Sequence, residues 1–136
     1  QALKVLEKLI QLRTDHWPYY VKAFELYDQL KAYEEMTKTL ARAVGKRPEQ
    51  PELRYFLGIS YEKRNLLVEA IHQFEAVVKL APKNTNYLMH LAGLYEQIGK
   101  SEKALKTYQR VLEVDPENPE AQENYLRLKM QEIGQQ

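Results

Sequence analysis

The sequence predicts an all-α chain of stacked antiparallel helix hairpins repeating every 34 residues, and three observations predict it. Prolines recur at Pro48, Pro82 and Pro116, 34 residues apart, each just beyond an apolar run. Other residue classes keep the same spacing: Tyr27, Tyr61 and Tyr95; Leu40, Phe74 and Tyr108; Ala43, Val77 and Val111. Within a period the apolar residues follow helical spacing, as in Leu88, Leu91, Ala92 and Tyr95, which lie at i, i+3, i+4 and i+7.

Each period resolves into two helices. Leu88 to Tyr95 gives the face of a first helix, and Ala104, Leu105, Tyr108, Val111 and Leu112 give that of a second. Between them Gly99 can take the left-handed conformation that ends a helix. The proline at the end of each period stops the second helix, because its ring disfavours helix in the residue before it and it has no N–H to donate. Small residues at Gly58, Ala92, Ala70 and Ala104 allow close helix approach, and Phe74 and Tyr108 fill the remaining space.

This pattern resembles the tetratricopeptide repeat family. The unit 85–118 carries Leu88, Leu91, Ala92, Tyr95, Gly99, Ala104, Tyr108, Val111 and Pro116 at the family's signature positions. The unit 51–84 carries Leu57, Gly58, Tyr61, Ala70, Phe74, Val77 and Pro82, with Arg54 where a large apolar residue is usual. The unit 17–50 is degenerate: it keeps Tyr20, Ala23, Tyr27, Tyr33, Ala43 and Pro48 but places Phe24 at a small position and Met36 at an alanine position. Residues 1–16 read as the second helix of a partial repeat, with Ala2, Leu6 and Leu9 in register, and residues 119–136 as a final first helix. The expectation is one domain over 1–136, with three full repeats between two half repeats, and a chain that continued upstream. The resemblance implies a right-handed superhelical solenoid with first helices lining the concave side.

Composition narrows the function. The net charge is +1, from 20 basic and 19 acidic residues, which gives no general attraction to nucleic acid or an anionic membrane. No apolar run approaches a membrane span. The absence of cysteine removes thiolate metal sites and a cysteine nucleophile. His16, His72 and His90 show no i, i+4 pair, so no metal site is expected, and each reads as a surface or packing residue. No Gly-rich phosphate loop or nucleophile elbow is present. The paired Glu34 and Glu35 diverge on a helix, so a solvated face is the better reading than acid–base work. Trp17 reads as a junction-packing residue rather than a partner anchor. No cofactor and no catalytic residue is expected.

What remains is a surface. The groove positions that the resemblance implies hold an apolar group, Tyr55, Phe56, Ile59 and Met89 with Val21, that lies off the core stripe. Exposed together, such side chains mark a contact site; the competing reading is that Phe56 tucks beneath a neighbouring helix. The same positions hold seven acids (Glu25, Asp28, Glu52, Glu62, Glu96, Glu120, Glu123) against three bases (Lys22, Lys63, Arg127), a net charge of −4. The expected binding residues are Val21, Tyr55, Phe56, Ile59, Met89, His90, Glu25, Glu62 and Glu96. The expected occupant is a protein or peptide segment that is apolar in the middle and basic at its flanks. A carboxylate clamp is not expected, because its places hold Val21, Glu25, Phe56, Asn86 and His90 and lack positive charge. The alternative is a structural segment of a longer solenoid, as in a bacterial secretion or cell-envelope complex, or self-association through the half repeat at residues 1–16.

Overall fold

The structure is a computed structural model that describes residues 2–12 and 16–135. The role expected of Trp17 rests on a side chain outside the described residues, as do Gln1, residues 13–15 and Gln136 of the two half repeats. The described residues form eight helices: α1 (Ala2–Leu12), α2 (Trp17–Leu30), α3 (Tyr33–Lys46), α4 (Pro51–Lys63), α5 (Leu67–Leu80), α6 (Thr85–Gln97), α7 (Ser101–Val114) and α8 (Pro119–Gly134).

The helix starts keep the sequence period. First helices begin at Trp17, Pro51, Thr85 and Pro119, and second helices at Tyr33, Leu67 and Ser101, all 34 apart. Pro48, Pro82 and Pro116 each sit two residues beyond the last residue of α3, α5 and α7. Proline also opens α2, α4 and α8, where a missing N–H costs nothing. Asn84 and Asn118 cap α6 and α8 by accepting from the backbone N–H of Tyr87 and Ala121.

The turn inside each hairpin falls at the fifteenth position from the start of the first helix. Lys31, Asn65 and Gly99 occupy it with φ of 55°, 60° and 78°. Gly99 meets no penalty there and asparagine is tolerated, whereas Lys31 carries a side chain in a conformation that costs about 1–2 kcal/mol. The corresponding residue of α8 is Ile133, which is β-branched, and α8 runs on to Gly134 instead of turning.

The chain forms two compact units, Gln1–Gln73 and Phe74–Gln136. In the first, α1 packs on α2, α2 on α3 and α3 on α4. Its core holds Ile10, Tyr20, Tyr27, Met36, Leu40, Leu53 and Leu57. Met36, at an alanine position, is fully buried, as an unbranched and adaptable side chain can be. The Tyr27 hydroxyl donates to Glu7 at 2.9 Å and lies 2.7 Å from Thr39 Oγ1. Ser60, fully buried, donates to the Leu57 carbonyl at 2.6 Å.

In the second unit α6 packs on α7 and α7 on α8, around buried Phe74, Leu88, Leu91, Tyr95, Tyr108, Val111 and Leu128. The Tyr95 hydroxyl donates to Glu75, a residue 20 positions earlier, as Glu7 is to Tyr27. The same tyrosine–glutamate link is thus built twice, from a first helix back to the preceding second helix. The Tyr108 hydroxyl donates to Glu96 at 2.6 Å. No helix among the described residues is long and apolar enough to cross a membrane.

Two outcomes test this account of the fold. Lys31→Gly should raise stability by about 0.5–1 kcal/mol in urea denaturation, the relief of left-handed strain exceeding the added entropy of the unfolded chain; an unchanged or lower midpoint would contradict it. The phenols of Tyr27, Tyr95 and Tyr108 are all pushed above their ordinary value of 10.0, first by burial and then by the neighbouring glutamates. Their folded-state values being raised, the stability they contribute is complete below pH ~10 and is lost as pH rises above it. The urea midpoint should fall above pH ~10, and a triple Tyr→Phe variant at these positions should show a shallower fall.

Candidate partner-binding surface

In the first unit the expected residues lie on α2 and α4, whose side chains meet directly. The rings of Phe24 and Phe56 are 5.4 Å apart between centroids, and Tyr55 meets Phe56 edge-on at 6.1 Å. Phe24, Tyr55, Phe56 and Ile59 are all half-buried, and Val21, one turn before Phe24, is 46% exposed. Phe56 also packs against the core cluster. Part of the Phe56 side chain is thus packed and part remains accessible.

Phe24 was not among the expected binding residues, although its presence at a small position was visible. The half-buried Phe24 packs partly against the core cluster and meets Phe56, which enlarges the aromatic surface. Burial, followed by the charge of Glu62, raises the Tyr55 phenol above its usual value and keeps it protonated.

In the second unit Met89 and His90 are both half-buried on α6. The His90 ring lies over Phe74 at 4.6 Å with a 32° tilt, a packing contact. The space above Gly93 is open, with no atom within 4 Å of where a Cβ would stand. Met89 and His90 belong to a different unit from Val21, Tyr55, Phe56 and Ile59.

The charges are more ordered than their count implies. Each of the three bases is paired with one of the seven acids: Lys22 with Glu25 at 3.7 Å, Lys63 with Asp28 at 3.5 Å, and Arg127 with Glu96 at 2.8 Å. Glu96 also accepts from Tyr108, so its carboxylate is engaged within the second unit. Asp28 similarly accepts from Tyr33. The same positions also hold Glu52 and Glu62 in the first unit and Glu120 and Glu123 in the second. One carboxylate oxygen of Glu52 is buried with no hydrogen-bond partner among the described residues.

His72 is exposed on α5, and the His16 ring lies against Tyr19 at 4.2 Å with a 56° tilt. Among the described residues no group of three or more His, Asp or Glu side chains could hold a metal ion. Elsewhere, a cavity of about 190 Å³ between α1 and α3 is lined by Glu7, Ile10, Gln11, Thr39, Arg42, Ala43 and Lys46, and includes none of the expected residues.

Comparison with known proteins agrees with this architecture. Two family models described as tetratricopeptide repeat match residues 63–128 and 37–85. The human protein O-mannosyl-transferase TMTC1 is 23% identical over 132 residues; the match takes in 94% of this chain but only 15% of that protein. Among solved structures, a crystal structure of MamA superposes with a TM-score of 0.78 at 16% identity, over 96% of this chain and 77% of that one. YrrB, a TPR protein with an unusual peptide-binding site, gives 0.73 at 22% identity, over 97% and 68%. The first TPR of Spaghetti (RPAP3), bound to the HSP90 peptide SRMEEVD, gives 0.69 at 21% identity, over 82% and 89%. Helix bounds, repeat register and family models coincide, and the chain belongs to the tetratricopeptide repeat family.

Proposed function

We propose that this chain is a non-catalytic protein-interaction module that holds a segment of a partner within a larger assembly, and that the α2–α4 face of the first unit is a site of contact. The observation that carries this reading is the aromatic group Phe24, Tyr55 and Phe56, left half-open beside exposed Val21, in a surface whose bases are already paired with acids. An apolar side chain of the partner seats against the rings. Basic residues on either side of it meet the acidic character of this face, where Glu25, Asp28, Glu52 and Glu62 outnumber Lys22 and Lys63. Two of the structural relatives are described with bound peptide or a peptide-binding site, which supports the class of function.

The charge argument sets this site apart from one suited to the acidic peptide carried by the Spaghetti domain. Unpaired cations are what an acidic tail requires, and here Lys22 and Lys63 are each engaged. The transferase activity in the name of the human relative has no counterpart in this reading, since the chain spans 15% of that protein.

A set of short peptides, each with a central Leu or Phe between Lys or Arg residues, tests the proposal by titration calorimetry. Phe56→Ala should weaken binding at least tenfold, the loss of about 1.4 kcal/mol or more expected of a central anchor. Because Phe56 also packs on the core, exposed Val21→Lys serves as the second variant: it should weaken the same peptides and leave the melting temperature unchanged. Binding unaltered by both variants, or a preference for acidic peptides, would overturn the site.

A further inference from the structure

The cavity of about 190 Å³ between α1 and α3 shares no residue with the α2–α4 face, and the repeat register shows how it arises. Ala43 lines it, where Val77 and Val111 stand one and two periods later and are fully buried. At this place α3 lacks the branch methyls that the later second helices bury, so space is left. Charge changes there as well. Arg42 and Lys46 also line the cavity, whereas the equivalent pairs are Ala76 with Leu80 and Arg110 with Val114. Of the second helices α3, α5 and α7, α3 alone carries two bases at these positions. They lie one turn apart and exposed. Among the described residues neither has an ion-pair partner, in contrast to Lys22 and Lys63.

The rest of the lining is of two kinds. Buried Ile10 and Ala43 give it carbon surface. Thr39 and Glu7 form a polar wall that is already ordered: the Tyr27 hydroxyl donates to Glu7 at 2.9 Å and lies 2.7 Å from Thr39 Oγ1. Arg42 and Lys46 against Glu7 leave the lining with an excess of positive charge. These features choose the occupant. A phosphate-like dianion gains nothing from Ile10 and Ala43 and meets repulsion from Glu7. An amine or a neutral apolar molecule leaves both bases unanswered. A monoanion with a hydrocarbon body satisfies the charge and the carbon surface together. The volume lies below the roughly 300–1,000 Å³ of a pocket for a cofactor or drug-sized ligand, so that body is short.

We propose that this cavity binds a small monocarboxylic acid with a short apolar body. The carboxylate pairs with the Arg42 guanidinium, whose planar fork suits two oxygens at once, and Lys46 adds a second positive charge beside it. The hydrocarbon end rests on Ile10 and Ala43, next to the fixed wall of Thr39 and Glu7. The site is independent of the proposed partner surface, and Phe56→Ala leaves it intact.

The test is titration calorimetry of the whole chain with 4-methylpentanoate, beside 3-methylbutylamine and inorganic phosphate at equal ionic strength. The acid should bind saturably and raise the melting temperature as its concentration rises, and the amine and phosphate should not. Arg42→Gln and Lys46→Gln, both at exposed sites, should each weaken the acid about tenfold or more. Lys38→Gln, one turn before Arg42 and outside the cavity, should leave its affinity unchanged. Ala43→Val restores the residue of the later repeats; it should weaken the acid while the free chain melts no lower. A leucine-terminated peptide with a free carboxylate offers the same chemistry from a polypeptide: binding tighter than that of the acid assigns the site to a chain terminus, and weaker binding assigns it to the free acid. Absence of saturable acid binding overturns the proposal. So does phosphate binding as tightly as the acid, which marks a general cationic surface, or an affinity that Arg42→Gln and Ala43→Val both leave unchanged.

Discussion

A helix hairpin of about thirty residues has more apolar surface than its two helices can hide from water by themselves, and the organisation of this protein depends on that excess. The surplus face must meet the next helix along the chain, which is why the core of the first unit draws on α1, α2, α3 and α4 together. Close meeting of helices excludes water from whatever polar groups lie in the seam. The tyrosines at Tyr27 and Tyr95 are buried there, and each hydroxyl finds a glutamate on the preceding second helix. Tyr61 has Ala41 at the corresponding place and is only half-buried. At these three equivalent positions burial of the ring and supply of a glutamate acceptor go together, in line with the cost of burying an unsatisfied hydroxyl.

The same stacking decides what the first helices show to the outside. Acids at Asp28 and Glu96, in equivalent places of α2 and α6, reach bases on the next first helix, Lys63 and Arg127. These pairs are partly exposed, with 43% of the Lys63, Asp28 and Arg127 side chains accessible, so they add little to stability. Their larger effect is on charge pattern. With the bases engaged by acids, the first helices of each unit carry more acids than bases. On the proposed reading, a negative surface beside an aromatic group favours a segment that is both apolar and basic.

Much of the fold was legible because prolines, tyrosines and small residues keep one spacing, and spacing is what a single sequence displays. Pro48, Pro82 and Pro116 marked helix ends to within two residues. The turn was read at Gly99 alone; Lys31 and Asn65 share its left-handed backbone but bear side chains that do not announce it. The site was harder. Glu96 read as a contact for a partner, yet Tyr108 and Arg127 hold it, at separations of 12 and 31 residues that no local pattern encodes. Phe24 was noticed as a departure from the repeat, but its consequence, a ring set against Phe56, depends on how two non-consecutive helices lie side by side.

The α1 helix shows how far the stacking constraint reaches. Helices of about this size draw most of their stability from packing an apolar face rather than from propensity, and α1 meets the first unit through buried Ile10 and partly buried Leu3 and Leu6. From the same helix Glu7 accepts from the buried Tyr27 hydroxyl. Firmer packing of α1 therefore also means a better satisfied core in the first unit, because a buried hydroxyl without an acceptor is costly. Order in α1 and satisfaction of the hairpin beside it are in this way the same equilibrium seen from two sides.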